Sequence, residues 1–524
     1  MEKSGVRTAQ RGAWVRHYEW EKGSDSMTDD HQNRRNLTRR GFLSISAGAA
    51  VAALLAACGG SSATDTPKPA VTGAPAVSAT TALAAKTAPA AATTVPAASN
   101  VAATVAPAAT TGASATTAPA TTGGAVVELS FFYPIAVGGP ITKIIDGYAA
   151  DFTKANPGIK VTPTYAGSYT DTLTKIQTTI DGGGMPPDVA VSLSTDLYAL
   201  KDADSIIPLD DYIKASDPAY ITDFYDAFML NAKDGGKIYG IPFQRSTPVL
   251  YYNKDLFKEV GLNPDQAPKN WAEMVDAAKK LTKADGSRWG LEIPSDGFPY
   301  WVFQGMAIGN GKNFVDDSGT KTFFNDPAVV QALDAWVGLG TKDKVGPASI
   351  VIWNTTPDDF IGGKAGMIWH TTGSLTNILK NAKFPVGVGF LPGLKQPGAP
   401  TGGGNFYLFK KTPQVKQAAA WKFIQFLSSP EYEAKWTIDS GYVAPRKSAW
   451  ETPALKDYTA KNPQALVARD QLQYASRELA THSGPQVQKV FGDELQAALT
   501  SKKQPQAAMD DAQKNVDNIL KQFR

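Results

Sequence analysis

Between Gly59 and Gly124 the chain has no aromatic residue and only three charged ones, Asp65, Lys68 and Lys86. The rest is almost entirely Ala, Thr, Pro, Val, Gly and Ser. Such a tract cannot bury enough side chain to offset the cost of ordering its backbone. It reads as a disordered tether with a root-mean-square reach of about 45 Å. Its Thr/Pro-rich stretches are also candidates for O-glycosylation. Length alone would suggest about three domains for 524 residues. The tract confines any folded core to residues 125–524, which carry nine of the eleven tryptophans.

The residues before the tract read as an export leader. Thr38-Arg39-Arg40-Gly41-Phe42-Leu43 is a twin-arginine pair followed by apolar residues, and Ile45–Ala57 has no charge. That run is shorter than the roughly 20 apolar residues that span a bilayer. A basic region, a short apolar run and a small-residue site mark a secretion signal over residues 1–57. The twin-arginine form points to export of a folded protein, with the unfolded-chain route as the alternative. The run ends Leu54-Leu55-Ala56-Ala57-Cys58-Gly59, which resembles the bacterial lipobox. Cys58 is the lipid anchor in this reading, and residues 58–124 are the lipidated cysteine and its tether. More than one acyl chain on one residue suffices for stable anchoring. Residues 1–26, with Trp14, Trp20 and mixed charges, are atypical of a signal, and Met27 is the alternative start.

Composition narrows the function. Lys plus Arg is 52 and Asp plus Glu is 49, a net charge of +3, which argues against nucleic acid as the main partner. Cys58 is the single cysteine and there are four histidines, His17, His31, His370 and His482. These counts exclude an intrachain disulfide and a cysteine metal cluster, and they argue against zinc and thiol enzymes. No metal or cofactor is expected.

From residue 126 onward strand and helix patterns alternate. Val126–Tyr133, Ile159–Tyr165, Pro187–Ser192, Ala365–Trp369 and Gly387–Leu391 are rich in β-formers. Apolar residues at helical spacing occur over about 140–155, 170–181, 271–282 and 418–427, and through much of 485–523. The alternation predicts an α/β fold with a parallel sheet covered on both faces.

The segment Ser246-Thr247-Pro248-Val249-Leu250-Tyr251-Tyr252-Asn253-Lys254-Asp255 is long and specific. With it go Gly261-Leu262-Asn263-Pro264-Asp265, Pro268-Lys269-Asn270-Trp271, Gly373-Ser374-Leu375, Lys383–Gly389 and Gly441-Tyr442. Through these residues the chain resembles the family-1 extracellular solute-binding proteins of ABC importers. It is most similar to their glycerol-3-phosphate-binding branch, over essentially all of 126–524. The resemblance implies a two-lobed periplasmic-binding-protein-like fold of class II type, its lobes joined by hinge crossovers. The expected lobes are 126–247 plus 392–438 and 249–391 plus 443–524. A monomer that hands its ligand to membrane permease subunits is implied, on the extracytoplasmic face of the membrane.

The same resemblance implies cleft positions. Tyr169, Ser246, Thr371 (a serine in the family), Gly403 and Tyr442 supply hydroxyl, amide and aromatic groups. An acidic position of the branch reads Ser194 here, and a basic one reads Gln488. A phosphate monoester is best held by arginine, so Arg245 or Lys489 would have to replace the missing cation. A neutral sugar or short oligosaccharide is therefore the expected ligand, with glycerol-3-phosphate or a glycerophosphodiester as the alternative. Phe298-Pro299-Tyr300-Trp301, Trp353 and Trp369 are candidate stacking platforms or core residues. Trp301 leads them because it is read in a Gly/Pro-interrupted loop. His370 is read as a cleft-edge or hydrogen-bonded structural residue.

Two other readings compete with this one. A glycosidase needs two carboxylates facing across a cleft, whereas Asp210-Asp211, Asp316-Asp317 and Asp358-Asp359 are neighbours that rarely converge. A ligand-sensing surface protein not coupled to transport would use the same scaffold.

Overall fold

The computed structural model describes residues 125–524. The expected leader, the anchor at Cys58 and the tether lie outside the described residues. The chain enters through β1 (Val127–Tyr133), α1 (Ile141–Ala155), β2 (Ile159–Tyr165), α2 (Tyr169–Asp181) and β3 (Val189–Leu193). After several short helices come β4 (Ile241–Ser246) and β5 (Pro248–Asn253), then α3 (Trp271–Leu281), β6 (Trp289–Glu292), α4 (Pro299–Gly309) and α5 (Pro327–Thr341). The next long elements are β7 (Ala365–Thr371), β8 (Val386–Gly389), β9 (Gly402–Leu408), α6 (Gln414–Leu427) and α7 (Pro430–Ser440). The chain closes with α8 (Gly484–Leu499) and α9 (Pro505–Leu520).

Local chemistry sets these boundaries. Ser168 caps α2 in a capping box with Asp171, each side chain meeting the other's backbone N–H. Asn270 caps α3 through the Glu273 N–H, and Lys279 and Lys280 sit in its last turn, where the helix dipole favours them. Asp326 caps α5, with Pro327 pre-set for its first turn. The tail expected to be mostly helical is two helices, broken where Ser501 takes a positive φ of 58° and restarted at Pro505.

These nine strands form two sheets, each with its own core. One has the order β2-β1-β3-β9-β4 and the other β8-β5-β7-β6. The first packs Phe131, Phe152, Phe406, Phe423 and Trp436 between its strands and α1, α6 and α7. Phe303, Phe314, Phe324, Trp336 and Phe491 join α4, α5 and α8 beside the second. This is the two-lobed α/β fold.

The expectation of parallel sheets is corrected. β1 runs parallel to β2 and β3, but β9 is antiparallel to both β3 and β4. In the second sheet only β6 and β7 are parallel, while β5 opposes β7 and β8. The physical reason is the crossover. A strand that enters a sheet from the other lobe arrives at the opposite end from one fed by a βαβ connection, so it runs backwards.

The crossovers also position the site. β4 ends at Ser246 and β5 begins at Pro248, so one residue, Thr247, carries the chain between sheets. Gly402 pairs with Ser246 and Thr371 with Pro248. The Thr372 N–H donates to the Thr247 carbonyl (3.1 Å), and Val443 N–H to that of Arg245 (2.8 Å). Positions far apart in sequence therefore meet at one seam between the sheets.

Candidate ligand-binding cleft

At this seam lies a cleft enclosing about 340 Å³ of space, open solvent included. Tyr169, Ser246, Trp301, Thr371, Gly403 and Tyr442 all line it, together with Ala136, Val137, Leu193, Phe298, Trp353 and Glu478. Six of the nine expected ligand positions are thus brought together.

Aromatic rings form much of the wall. The Phe298 and Trp353 rings meet edge-on at 5.0 Å, Trp301 and Trp353 at 6.1 Å, and Tyr169 and Phe298 at 6.5 Å. Trp301 donates its indole N–H to the Thr401 carbonyl (2.8 Å). Trp353 donates to Ala136 across the lobes (3.1 Å). Trp301 is not in a loop as expected. It stands in α4, whose eleven residues are all buried. Pro299 starts that helix rather than interrupting one, and a helix buried on every side has no amphipathic stripe to reveal it. Trp369 is a core residue, 1% exposed, with its indole N–H on the Met274 sulfur (3.3 Å).

The polar groups are held from behind. Tyr169 donates its hydroxyl to Gln244 Oε1 (2.9 Å). Tyr251 fixes the Thr371 carbonyl (2.8 Å), and the Thr371 hydroxyl caps the following turn through the Gly373 N–H (3.1 Å). Tyr442 stacks on Trp436 at 5.5 Å and 12°. Gly403 has φ +89°, and a Cβ there would lie 1.8 Å from the Gln244 carbonyl oxygen. A Cβ on Gly402 would meet the Trp301 ring at 2.5 Å. The glycines let this strand approach both β4 and the tryptophan.

His370 is buried and structural. Its Nε2 lies 3.2 Å from the Trp353 carbonyl and its Nδ1 2.9 Å from Ser374 Oγ. Burial lowers its pKa to about 3, so the ring is neutral, with Nε2–H donating to the carbonyl. It packs on the Trp353 ring at 4.0 Å and so holds that wall in place.

Three expected ligand residues stand elsewhere. Ser194 is fully buried behind Leu193. Arg245, also fully buried, donates Nη1 to the Gly403 carbonyl and to Asn405 Oδ1, both at 3.2 Å. It lies behind the wall rather than in it, because alternate residues of a strand point to opposite faces and Ser246 takes the void side. Gln488 lines a neighbouring groove between α2 and α8. Lys489 is exposed and paired with Asp493 (2.7 Å). The three adjacent Asp pairs do not line the void.

Glu478 was not anticipated. It is 2% exposed and accepts hydrogen bonds from Ser194 Oγ (3.2 Å) and Tyr300 Oη (3.3 Å). Asn231 grips its backbone on both sides, at 2.9 and 3.2 Å. Burial pushes its pKa up to about 8 against the opposing pull of Arg245 and the hydrogen bonds from Ser194 and Tyr300. The carboxyl thus stands beside Ser194 but arrives from a different part of the chain. In sequence it is one glutamate in a polar stretch, with no local signal of burial.

A pre-formed cleft between two α/β lobes, walled by aromatics and hydroxyls, defines a binding protein for small molecules. The family model for bacterial extracellular solute-binding proteins matches residues 147–463, more than half of the chain, and the chain belongs to that family. The sn-glycerol-3-phosphate-binding periplasmic protein UgpB of Salmonella typhimurium is 30% identical over 424 residues, covering 77% of this chain and 95% of its own. UgpB from Escherichia coli is 30% identical over 420 residues, covering 76% and 94%. Among solved structures, UgpB from Mycobacterium tuberculosis in complex with glycerophosphocholine has a TM-score of 0.68 at 25% identity, covering 76% of this chain and 99% of that one. Maltose-bound MalE3 of T. maritima shares the fold, with a TM-score of 0.66 at 23% identity, covering 75% and 100%.

Proposed function

We propose that this chain is the substrate-binding subunit of an ABC importer, lipid-anchored through Cys58 outside the cell membrane, and that it captures a neutral sugar. It performs no chemistry on its ligand. Closure of the lobes traps the sugar, and the closed form is what the permease recognises.

One observation carries the choice of ligand. Among the described residues, no lysine or arginine lines the void. Aromatic faces suit the C–H faces of a sugar ring, and Ser246, Thr371, Tyr169 and Tyr442 suit its hydroxyls. A phosphate dianion would meet hydroxyls and the Glu478 carboxyl, with the Arg245 guanidinium committed behind the wall. The runner-up is glycerol-3-phosphate or a glycerophosphodiester, favoured by the similarity to the sn-glycerol-3-phosphate-binding UgpB proteins at 30% identity.

A thermal-shift panel on the full chain separates them. Maltose, trehalose, glycerol-3-phosphate and glycerophosphodiesters are each added at increasing concentration. A ligand at 100 times its Kd stabilises by about 2.7 kcal/mol. A rise in Tm with sugars alone supports the reading. A rise with phosphorylated glycerols alone overturns it. Once a ligand is found, Ser246→Ala and Thr371→Ala should each weaken it about three- to tenfold, the worth of one neutral hydrogen bond. The unliganded Tm of Ser246→Ala should stay near the wild-type value.

A further inference from the structure

The lobes meet a second time, through a strap of residues 477–483 just before α8. Leu479 of the strap belongs to the core beside the second sheet. Its neighbours bond to the first lobe. Arg477 donates Nη2 to the Leu230 carbonyl (3.1 Å), and the Glu478 N–H donates to Asn231 Oδ1 (2.9 Å). Parting the lobes here breaks these bonds.

One contact of the strap is ionisable on both sides. His482 Nδ1 lies 3.0 Å from both carboxylate oxygens of Asp202. Asp202 ends a short helix, Leu197–Asp202, that packs Leu197 and Leu200 against Leu173 of α2 and Tyr407 of β9 in the first lobe. The imidazole lies between two rings, 4.6 Å from Tyr198 of that helix and stacked on Phe523 at 4.4 Å and 15°. Tyr198 is seated over Gly319, where a Cβ would come within 2.7 Å of its ring. The Gly319 carbonyl also takes the His482 N–H (3.2 Å). One glycine turn thus holds both sides of the contact.

The backbone is strained beside both partners. Among the described residues four non-glycine residues have positive φ, and two of them are Asp204 (48°) and Ser483 (49°). Such conformations persist only where surrounding contacts enforce them, and they gather at switch regions. The other charges on the packed elements are already engaged. Lys201 pairs with Asp234, Asp204 with Lys410, Arg477 with Asp317 and Arg524 with Asp517. Asp316 is bonded to Ser318 in its own turn, and Lys321 and Lys521 are exposed. Burial raises the Tyr198 pKa, which keeps its hydroxyl neutral, and Glu478 holds its proton up to about pH 8. Asp202 is therefore the acid that answers a charge on His482.

We infer that His482 and Asp202 form a pH-responsive latch between the lobes, in which a proton on the imidazole turns a hydrogen bond into an ion pair and favours closure. Imidazoles gain their charge as pH falls from about 8 to 5. A charged His482 is stabilised while Asp202 faces it and loses that partner when the lobes part. Closure therefore takes up a proton, and the latch weakens as pH rises. The inference rests on lobe closure, as proposed above, and holds for either class of ligand.

The test is hydrogen exchange on the full unliganded chain at pH 5.5 and 7, a range in which Glu478 keeps its proton. The probes are the Glu478 amide, released when the lobes part, and the β1 amides, which lie within one sheet. Rates are corrected for the intrinsic pH dependence of exchange. Wild type, His482→Gln and Asp202→Asn are compared, and both side chains are partly exposed, so the fold should persist. In wild type the Glu478 amide, measured against β1, should be about two- to fivefold better protected at pH 5.5 than at pH 7, the worth of an exposed ion pair. Each variant should show equal protection at the two pH values. Equal protection in wild type, or an unchanged pH dependence in both variants, would overturn the latch and leave lobe closure standing. If the Glu478 amide exchanges as slowly as β1 in every case, the lobes do not part in the folded protein, and closure and the latch fall together.

Discussion

Gly403→Ala should abolish ligand binding and lower the unfolding midpoint in urea. The added Cβ would sit 1.8 Å from the Gln244 carbonyl oxygen, a backbone atom that cannot swing aside. The residue also holds φ +89°, which costs a non-glycine residue about 1–3 kcal/mol before any clash. To relieve both, β9 must move away from β4. That movement withdraws the Gly403 carbonyl from Arg245, whose Nη1 donates to it at 3.2 Å. Among the described residues Arg245 Nε and Nη2 already have no partner, so a further loss would strand a buried cation. We expect at least about 2–3 kcal/mol of destabilisation and no measurable calorimetric heat with the wild-type ligand. A variant with wild-type stability and affinity would show that the strand can shift freely, against the tight seam described above.

The second large effect is on pH dependence. Glu478 holds its proton in the folded protein up to about pH 8, against an ordinary value of 4.5, chiefly because it is buried. Between these values the folded state binds more protons than the unfolded chain, so stability falls as pH rises. The contribution is complete below pH 4.5 and is lost as pH climbs through about 8. By linkage it is on the order of 5 kcal/mol. Glu478→Gln keeps the shape and removes the titration. Its urea midpoint should match wild type near pH 5 and exceed it clearly at pH 8.5. Asp196 is pushed in the same direction by burial, so the variant lessens the slope rather than flattening it. Parallel profiles for wild type and variant over pH 5–9 would refute the buried-acid account.

The cleft residues divide by how far their positions depend on distant contacts. Tyr169, Ser246, Thr371, Gly403 and Tyr442 were legible only through the resemblance to the family, which marks each of these positions, and not through any local pattern of their own. Glu478 was not, because its burial depends on Asn231, Tyr300 and Ser194, between 178 and 284 residues away. Arg245 was misjudged for a related reason. A strand residue faces one side or the other according to its pairing, and Gly403 is its partner across β9. The direction of β9 itself followed from which lobe the chain had just left.

What the amino-acid sequence determined alone was local. The aromatic-free tract bounded the core, the capping residues Ser168, Asn270 and Asp326 began their helices, and the absence of a second cysteine removed a disulfide. Each of these depends on neighbouring residues or on composition, and neither needs a fold to act. The tertiary structure decided the mixed sheets, the helix around Trp301, the burial of Arg245 and the placing of a carboxyl in the wall of the cleft. These depend on desolvation and on pairing between segments hundreds of residues apart, and no local pattern encodes which surfaces will meet.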